Sequence, residues 1–248
     1  VVSVGGGSSL DTAKLVAFLL RSDAPLAEIY GVGLAQGPRA PLILAPTTAG
    51  TGSEVTPISI VTTGAAEKKG VVAPQLLPDW AVLDADLTLG LPREVTAATG
   101  VDAMVHAIEA FTSARLKNPV SDALAKEALR LLGASIARVC EAPGDREARG
   151  AMLLGSMLAG MAFANAPVAA VHALAYPLGG HFHVPHGLSN CLVLPEVLAF
   201  NMPAAEALYA ELAPLAFPGA PAEGAALVAG FRDLAPRIGL KTRLRDVG

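Results

Sequence analysis

The sequence predicts a mixed α/β half over residues 1–91 followed by an all-helical half over residues 92–248. Three observations carry that expectation. Two short apolar strands, Val1 to Val4 and Pro41 to Pro46, each run into a loop rich in glycine and hydroxyls, Gly5-Gly6-Gly7-Ser8 and Thr47 to Ser53. Strand signals stop at Leu91-Pro92-Arg93-Glu94, where a proline and then a carboxylate mark a helix start. Beyond it the apolar residues recur with helical spacing, and all five histidines fall there, between His106 and His186.

In chain order, the first strand and its glycine turn lead into a predicted helix over Ser9 to Leu20, with apolar residues at Leu10, Ala13, Val16, Ala17 and Leu20. Glycines let the backbone approach a ligand, and the free N–H groups of a helix start attract phosphate, so this strand-turn-helix can hold a pyrophosphate. Asp11 is expected in the first turns, where a carboxylate favours the helix dipole. Pro41 to Pro46 reads as a buried parallel strand, and the hydroxyls of the loop after it can donate to phosphate or ribose. Neither loop is a P-loop, because no glycine-lysine-serine/threonine ending is present. Ile58 to Thr63, Val71-Val72 and Trp80 to Leu83 read as further strands, with Lys68 and Lys69 between the first two.

Helical periodicity then covers Thr96 to Thr112, Ser121 to Ala137, Glu147 to Phe163, Leu188 to Phe200, Ala204 to Leu215 and Gly224 to Ile238. The run from Gly150 to Val171 lacks charged residues over a length that could span a bilayer. Its Asn165, Pro167 and small residues instead describe a central helix of a bundle, with neighbours in close approach.

The 248 residues are 52% apolar, enough for a large core, and the mean hydropathy is +0.50. A net charge of −4 with no cationic cluster argues against nucleic acid or an anionic membrane as partner, and for small-molecule ligands. Cys140 and Cys191 are too few for a disulfide framework, which points to a reducing cytoplasm and two buried thiols. The opening VVSVGGGS has neither a basic head nor a long apolar stretch, and the chain reads as a piece of a longer one.

Asp102 and His106 stand four apart and share one helix face, so a carboxylate oxygen and an imidazole nitrogen can meet at one point. That is half of a metal site. His172 and His186, fourteen residues apart around Gly179-Gly180, can supply two further nitrogens from the end of one helix and the start of the next. Spacing by itself leaves open which of His172, His181, His183 and His186 take part.

The run GVDAMVHAIEAF, followed by HALAYPLGG and VPHGLSN, closely resembles the iron-containing (group III) alcohol dehydrogenases. GGGSSLDTAK and APTTAGTGSEVT are similar to that family's two nucleotide-binding signatures, and the likeness runs from Val1 to about Asn201. The resemblance implies a dehydroquinate synthase-like, Rossmann-related nucleotide-binding domain over residues 1–91 and an all-α metal-binding domain over 92–248. It implies that Asp102, His106, His172 and His186 ligate the metal and carry catalysis, leaving His181 and His183 aside. Gly6, Gly7, Ser8 and Asp11 from the first signature would bind the cofactor. So would Thr47, Thr48, Thr51 and Ser53 from the second, with Lys68 as a further contact. The family's metal is ferrous iron, with zinc as competitor, and its cofactor is NAD or NADP. One departure is Tyr176, where many members carry a second histidine.

The implied reaction is reversible hydride transfer between a primary or secondary alcohol and NAD(P), giving an aldehyde or ketone, in a cytoplasmic enzyme for which a homodimer is an admissible assembly. Two other readings compete. A metal- and NAD-dependent lyase resembling 3-dehydroquinate synthase would line its cleft with several lysines and arginines, whereas none here adjoins a proposed ligand. A non-catalytic metal-binding fragment is the other.

Overall fold

In the computed structural model, residues 1–64 and 67–247 are described. Strand β1 (Val2–Gly5) is parallel to β3 (Ile43–Pro46), which is parallel to β6 (Trp80–Ala81), giving the order β1-β3-β6. A second sheet places β5 (Glu67–Val72) between β2 (Gly31–Val32), parallel to it, and β4 (Ile58–Thr63), antiparallel to it. Helix α1 (Gly7–Leu19) lies between the sheets. Leu10, Ala13 and Ala17 pack on Leu42 and Leu44, while Leu15 and Phe18 pack on Ile29, Val71 and Leu76.

Several expectations shift here. The helix begins at Gly7 rather than Ser9, so two residues of the glycine turn are already its first turn. Asp11 therefore falls in the second turn, too far along for the helix dipole to reach it well. Its carboxylate accepts instead from Ser53 Oγ at 2.6 Å and from the Ile60 N–H at 2.9 Å. Lys68 and Lys69 belong to β5, paired with Thr62 and Val61, rather than to a connection between strands. The fully buried Lys14 donates to Ile58 O and Thr56 Oγ1, and burial lowers its pKa to about 8. These bonds fasten α1 to the hairpin made by β4 and β5.

From Arg93 the chain is helical: α2 (Arg93–Thr112), α3 (Pro119–Glu141), α4 (Arg146–Asn165), α5 (Ala170–Phe182), α6 (His186–Ala216) and α7 (Gly224–Arg237). Helix α2 is buried on every side, from Val101, Met104 and Val105 to Ile108 and Phe111, with α3, α4 and α6 packed around it. The centre of the bundle is thus α2, not the run from Gly150 expected there. That run breaks after Asn165, and α4 and α5 meet at 107°. The two helices expected over Leu188 to Leu215 are one, α6, which carries Pro195, Pro203 and Pro214 inside it. By length and composition α6 is apolar enough to cross a membrane, yet it buries Ser189 and Asn190 within the bundle. Both cysteines are buried and unpaired.

Close backbone contacts join the two parts. Gly52 has φ +59°, a region that favours glycine, and an added Cβ there would stand 2.5 Å from Gly160 Cα on α4. The small residues of α4 do allow close approach, as expected, and the neighbour is the hydroxyl-rich loop.

A Gly160→Val substitution should therefore cost about 1–3 kcal/mol, read from urea unfolding, because the side chain displaces backbone rather than a mobile tip. A pH effect arises at β3. Arg39 donates two hydrogen bonds to Asp79 and the Leu42 N–H a third, and these hold the carboxyl down to about 2. A depressed carboxyl contributes stability above its unfolded value near 4 and loses it as pH falls through the folded one. Asp79→Asn should accordingly be less stable than the unmodified chain at pH 7, and unfolding curves should show the gap closing between about pH 4 and pH 2.

Candidate metal and cofactor site

The sides of α2, α5 and α6 that face one another carry the histidines. Asp102, His106 and Glu109 recur at helical spacing on α2, and because that helix is central all three are buried. His172 is the third residue of α5 and His186 the first of α6. The sequence expectation that His172 ends a helix is corrected here: it sits in a first turn, with Gly179 and Gly180 inside the helix. The chain reverses at His183, whose backbone is left-handed (φ +55°), and at Pro185. His181 and His183 are exposed and stand apart from the cluster.

One ligating atom from each of Asp102, His172 and His186 lies within 4.8 Å of the others, and His106 Nε2 is 3.0 Å from His172 Nε2. The ring hydrogens can be assigned. His106 Nδ1 faces the Gly50 carbonyl at 3.2 Å and His172 Nδ1 faces the Glu109 carboxylate at 2.6 Å, both of which only accept. In the Nδ1–H tautomer that these acceptors select, each ring turns an Nε2 lone pair toward the other. Two such lone pairs at that distance repel; Asn190 Nδ2, 3.3 Å from His172 Nε2, can meet only one of them, and an anionic carboxylate beside them adds to the electron density. A divalent cation satisfies all of them, and nitrogen and oxygen donors suit ferrous iron or zinc. The donor set thus fits such a metal.

The electrostatics agree. Burial pushes the Asp102 carboxyl up, but the His106, His186 and His172 imidazoles and the Asn190 amide more than offset it, leaving the group anionic. Burial lowers His106 to about 4, only partly opposed by Asp102, so this ring is neutral at pH 7. Burial also lowers His186. Neutral imidazoles and an ionised carboxylate are the forms that bind metal.

A cleft of about 570 Å³ opens beside the cluster. Gly6, Gly7, Ser8, Asp11, Thr48, Thr51, Ser53 and Lys68 line it, as do Asp102, His106, His172 and His186. Thr47 does not; its N–H closes on Gly5 O at the end of β3. Ile58, Ile60, Val72, Phe163 and Val168 make the apolar wall, with Phe163 stacked 4.4 Å from the His106 ring. Tyr176 also lines the cleft and stacks on His186; burial, then Asp102 and Glu109, raise its pKa and keep the phenol protonated.

Sequence reasoning missed Glu109 and Asn190. Asn190 Nδ2 lies 2.6 Å from Asp102 Oδ1, and its Oδ1 has no partner among the described residues. Both follow a predicted ligand at helical spacing, Glu109 three after His106 and Asn190 four after His186, and that spacing is a signal the sequence carries.

Residues 96–248 match the family description "Fe-containing alcohol dehydrogenase family, C-terminal", and residues 1–85 match "Iron-containing alcohol dehydrogenase". The chain belongs to the iron-containing alcohol dehydrogenase family. It is 48% identical over 203 residues to long-chain-alcohol dehydrogenase 1 of Geobacillus thermodenitrificans, covering 81% of this chain and 51% of that protein. A solved 1,3-propanediol oxidoreductase superposes with a TM-score of 0.93 at 37% identity, over 100% of this chain and 66% of the other. Sulfoacetaldehyde reductase from Bifidobacterium kashiwanohense, solved in complex with NAD+, gives 0.88 at 32% identity, over 99% and 65%. The chain spans 51% to 62% of the length of three curated relatives, long-chain-alcohol dehydrogenase 1 among them. The α/β part followed by a helical part, expected from the sequence, is this family's fold.

Proposed function

We propose that the chain is the catalytic portion of a metal-dependent alcohol dehydrogenase, which moves a hydride reversibly between a small primary or secondary alcohol and NAD(P). The observation that carries this reading is the meeting of Asp102 and three histidines in a cleft that both glycine- and hydroxyl-rich loops also line. Residues 1–91 form the cofactor domain and 92–248 the metal domain, a division supported by family matches over 1–85 and 96–248. The metal is ferrous iron, with zinc as competitor, and NAD is the cofactor, with NADP as the alternative. The enzyme is cytoplasmic, with a homodimer as the assembly to test; two free buried thiols support the compartment.

When bound, the metal supplies Lewis acidity toward the alcohol oxygen and the nicotinamide supplies the hydride acceptor. The chain's own residues do the rest. Asp102, His106, His172 and His186 would hold the cation, offering a carboxylate oxygen and imidazole nitrogens. The N–H groups of Gly7 and Ser8, at the start of α1, would meet the pyrophosphate, and the Thr48 and Thr51 hydroxyls phosphate or ribose. Phe163, Ile58 and Val168 exclude water around the reacting carbon. Tyr176 Oη holds its proton beside the ligand cluster. Lys68 is the sole lysine or arginine lining the cleft among the described residues, where a lyase handling a phosphorylated substrate needs several.

Asp102→Ala and His186→Ala should each lose bound metal, while His183→Ala should keep it, as metal analysis of the purified variants will show. Retention by His186→Ala together with loss by His183→Ala would move the ligand from His186 to His181 or His183. The 248-residue chain should also bind NAD more weakly than a longer chain carrying the full family length, measured by titration calorimetry on both.

A further inference from the structure

The carboxylate of Glu109 crosses from α2 to the first turn of α5 and uses both of its oxygens there. Oε1 accepts the Val171 N–H at 2.7 Å, and Oε2 accepts from His172 Nδ1 at 2.6 Å. Helix α5 has no side-chain cap of its own: residue Ala169 precedes it and offers none. The first N–H groups of a helix have no partner inside it, and an anion there is favoured by the helix dipole. Glu109, 4% exposed, answers that need from a neighbouring helix.

We infer that Glu109 is a positioning residue for the metal centre, fixing the tautomer and ring orientation of His172 so that its Nε2 lone pair faces His106 and Asp102. The role rests on the metal-centre reading above. An imidazole can turn about its last torsion into two orientations of similar energy, and a neutral ring can carry its proton on either nitrogen. Only one of the four combinations puts a bare Nε2 at the cluster, where it stands 3.0 Å from His106 Nε2. An ionised carboxylate is acceptor-only, so it selects the Nδ1–H form. Because its other oxygen is held by backbone, it also fixes where that nitrogen must lie. Glu109 shares α2 with Asp102 and His106, so one side chain sets the third ligand against the first two.

A mere helix cap would make the same Val171 contact, and the experiment separates the two roles. Glutamine at this position offers a single acceptor, so either His172 Nδ1 or the Val171 N–H must face an amide NH2. Zinc affinity of the unmodified chain and of Glu109→Gln is measured by competition with a chelator, and melting of both metal-free proteins is followed in parallel. The expected result is zinc binding about 10- to 100-fold weaker in the variant, the usual effect of losing the group that orients a ligand. A variant that melts earlier without metal but, while folded, binds zinc as tightly as the unmodified chain has lost only a cap, and overturns the role. An unmodified chain that binds no zinc overturns the metal-centre reading and this role together. Nitrogen NMR of the unmodified protein labelled at histidine gives a second readout that needs no variant to fold. His172 should carry its proton on Nδ1, and a ring protonated on Nε2 overturns the proposal.

Discussion

Burying two carboxylates among imidazoles in an apolar helical interior costs several kcal/mol for each ion unless every charge finds a partner. The arrangement of the helices around Asp102 and Glu109 answers that cost. Glu109 is met by a ring N–H and a backbone N–H, which leaves it no free oxygen. Asp102 receives one amide hydrogen from Asn190 and otherwise faces imidazole nitrogens. Beyond these bonds, electron-rich atoms from three helices converge at one point beside the cleft. A helical bundle rarely keeps such a point without a cation to occupy it.

Convergence also demands that backbones come close, and small residues permit it. Gly52 lies against Gly160, so the second loop is seated on α4, and Gly187 lies against the Ala98 carbonyl, so the start of α6 is seated on α2. The loop then does two things at once. Its Thr48 and Thr51 line the cleft, while its Gly50 carbonyl accepts the hydrogen bond that sets the His106 tautomer. The histidine side of the cleft and the side that carries the hydroxyl-rich loop are therefore joined through this stretch of backbone.

Much of this architecture is legible in the local pattern of the chain. Strand, glycine turn and helix at the start, the second strand and its hydroxyl loop, and the change to helices after Leu91 each rest on neighbouring residues, and each is present within a few residues of its expected place. Where local pattern misleads, the cause is long-range. Pro203 looks like a break, yet α6 runs through it because packing on α2, α3 and α7 outweighs the lost backbone bond. Lys68 and Lys69 look like a solvated connection, yet pairing with Thr62 and Val61 draws them into β5. Helix α5 escapes a local reading because Pro177, Gly179 and Gly180 hide a helix held in place by its neighbours.

The sequence by itself determined that Asp102 and His106 share a face, because the helical repeat fixes that relation within a single element whatever surrounds it. It equally determined that Glu109 follows His106 by three residues and Asn190 follows His186 by four, each on one helix face with it, though composition offered no reason to single them out. Only the tertiary structure decided that His172 and His186, rather than His181 and His183, stand beside that face. The choice depends on the angle between α4 and α5 and on the reversal at His183 and Pro185. Those are set by contacts between residues distant in the chain, which no local periodicity records.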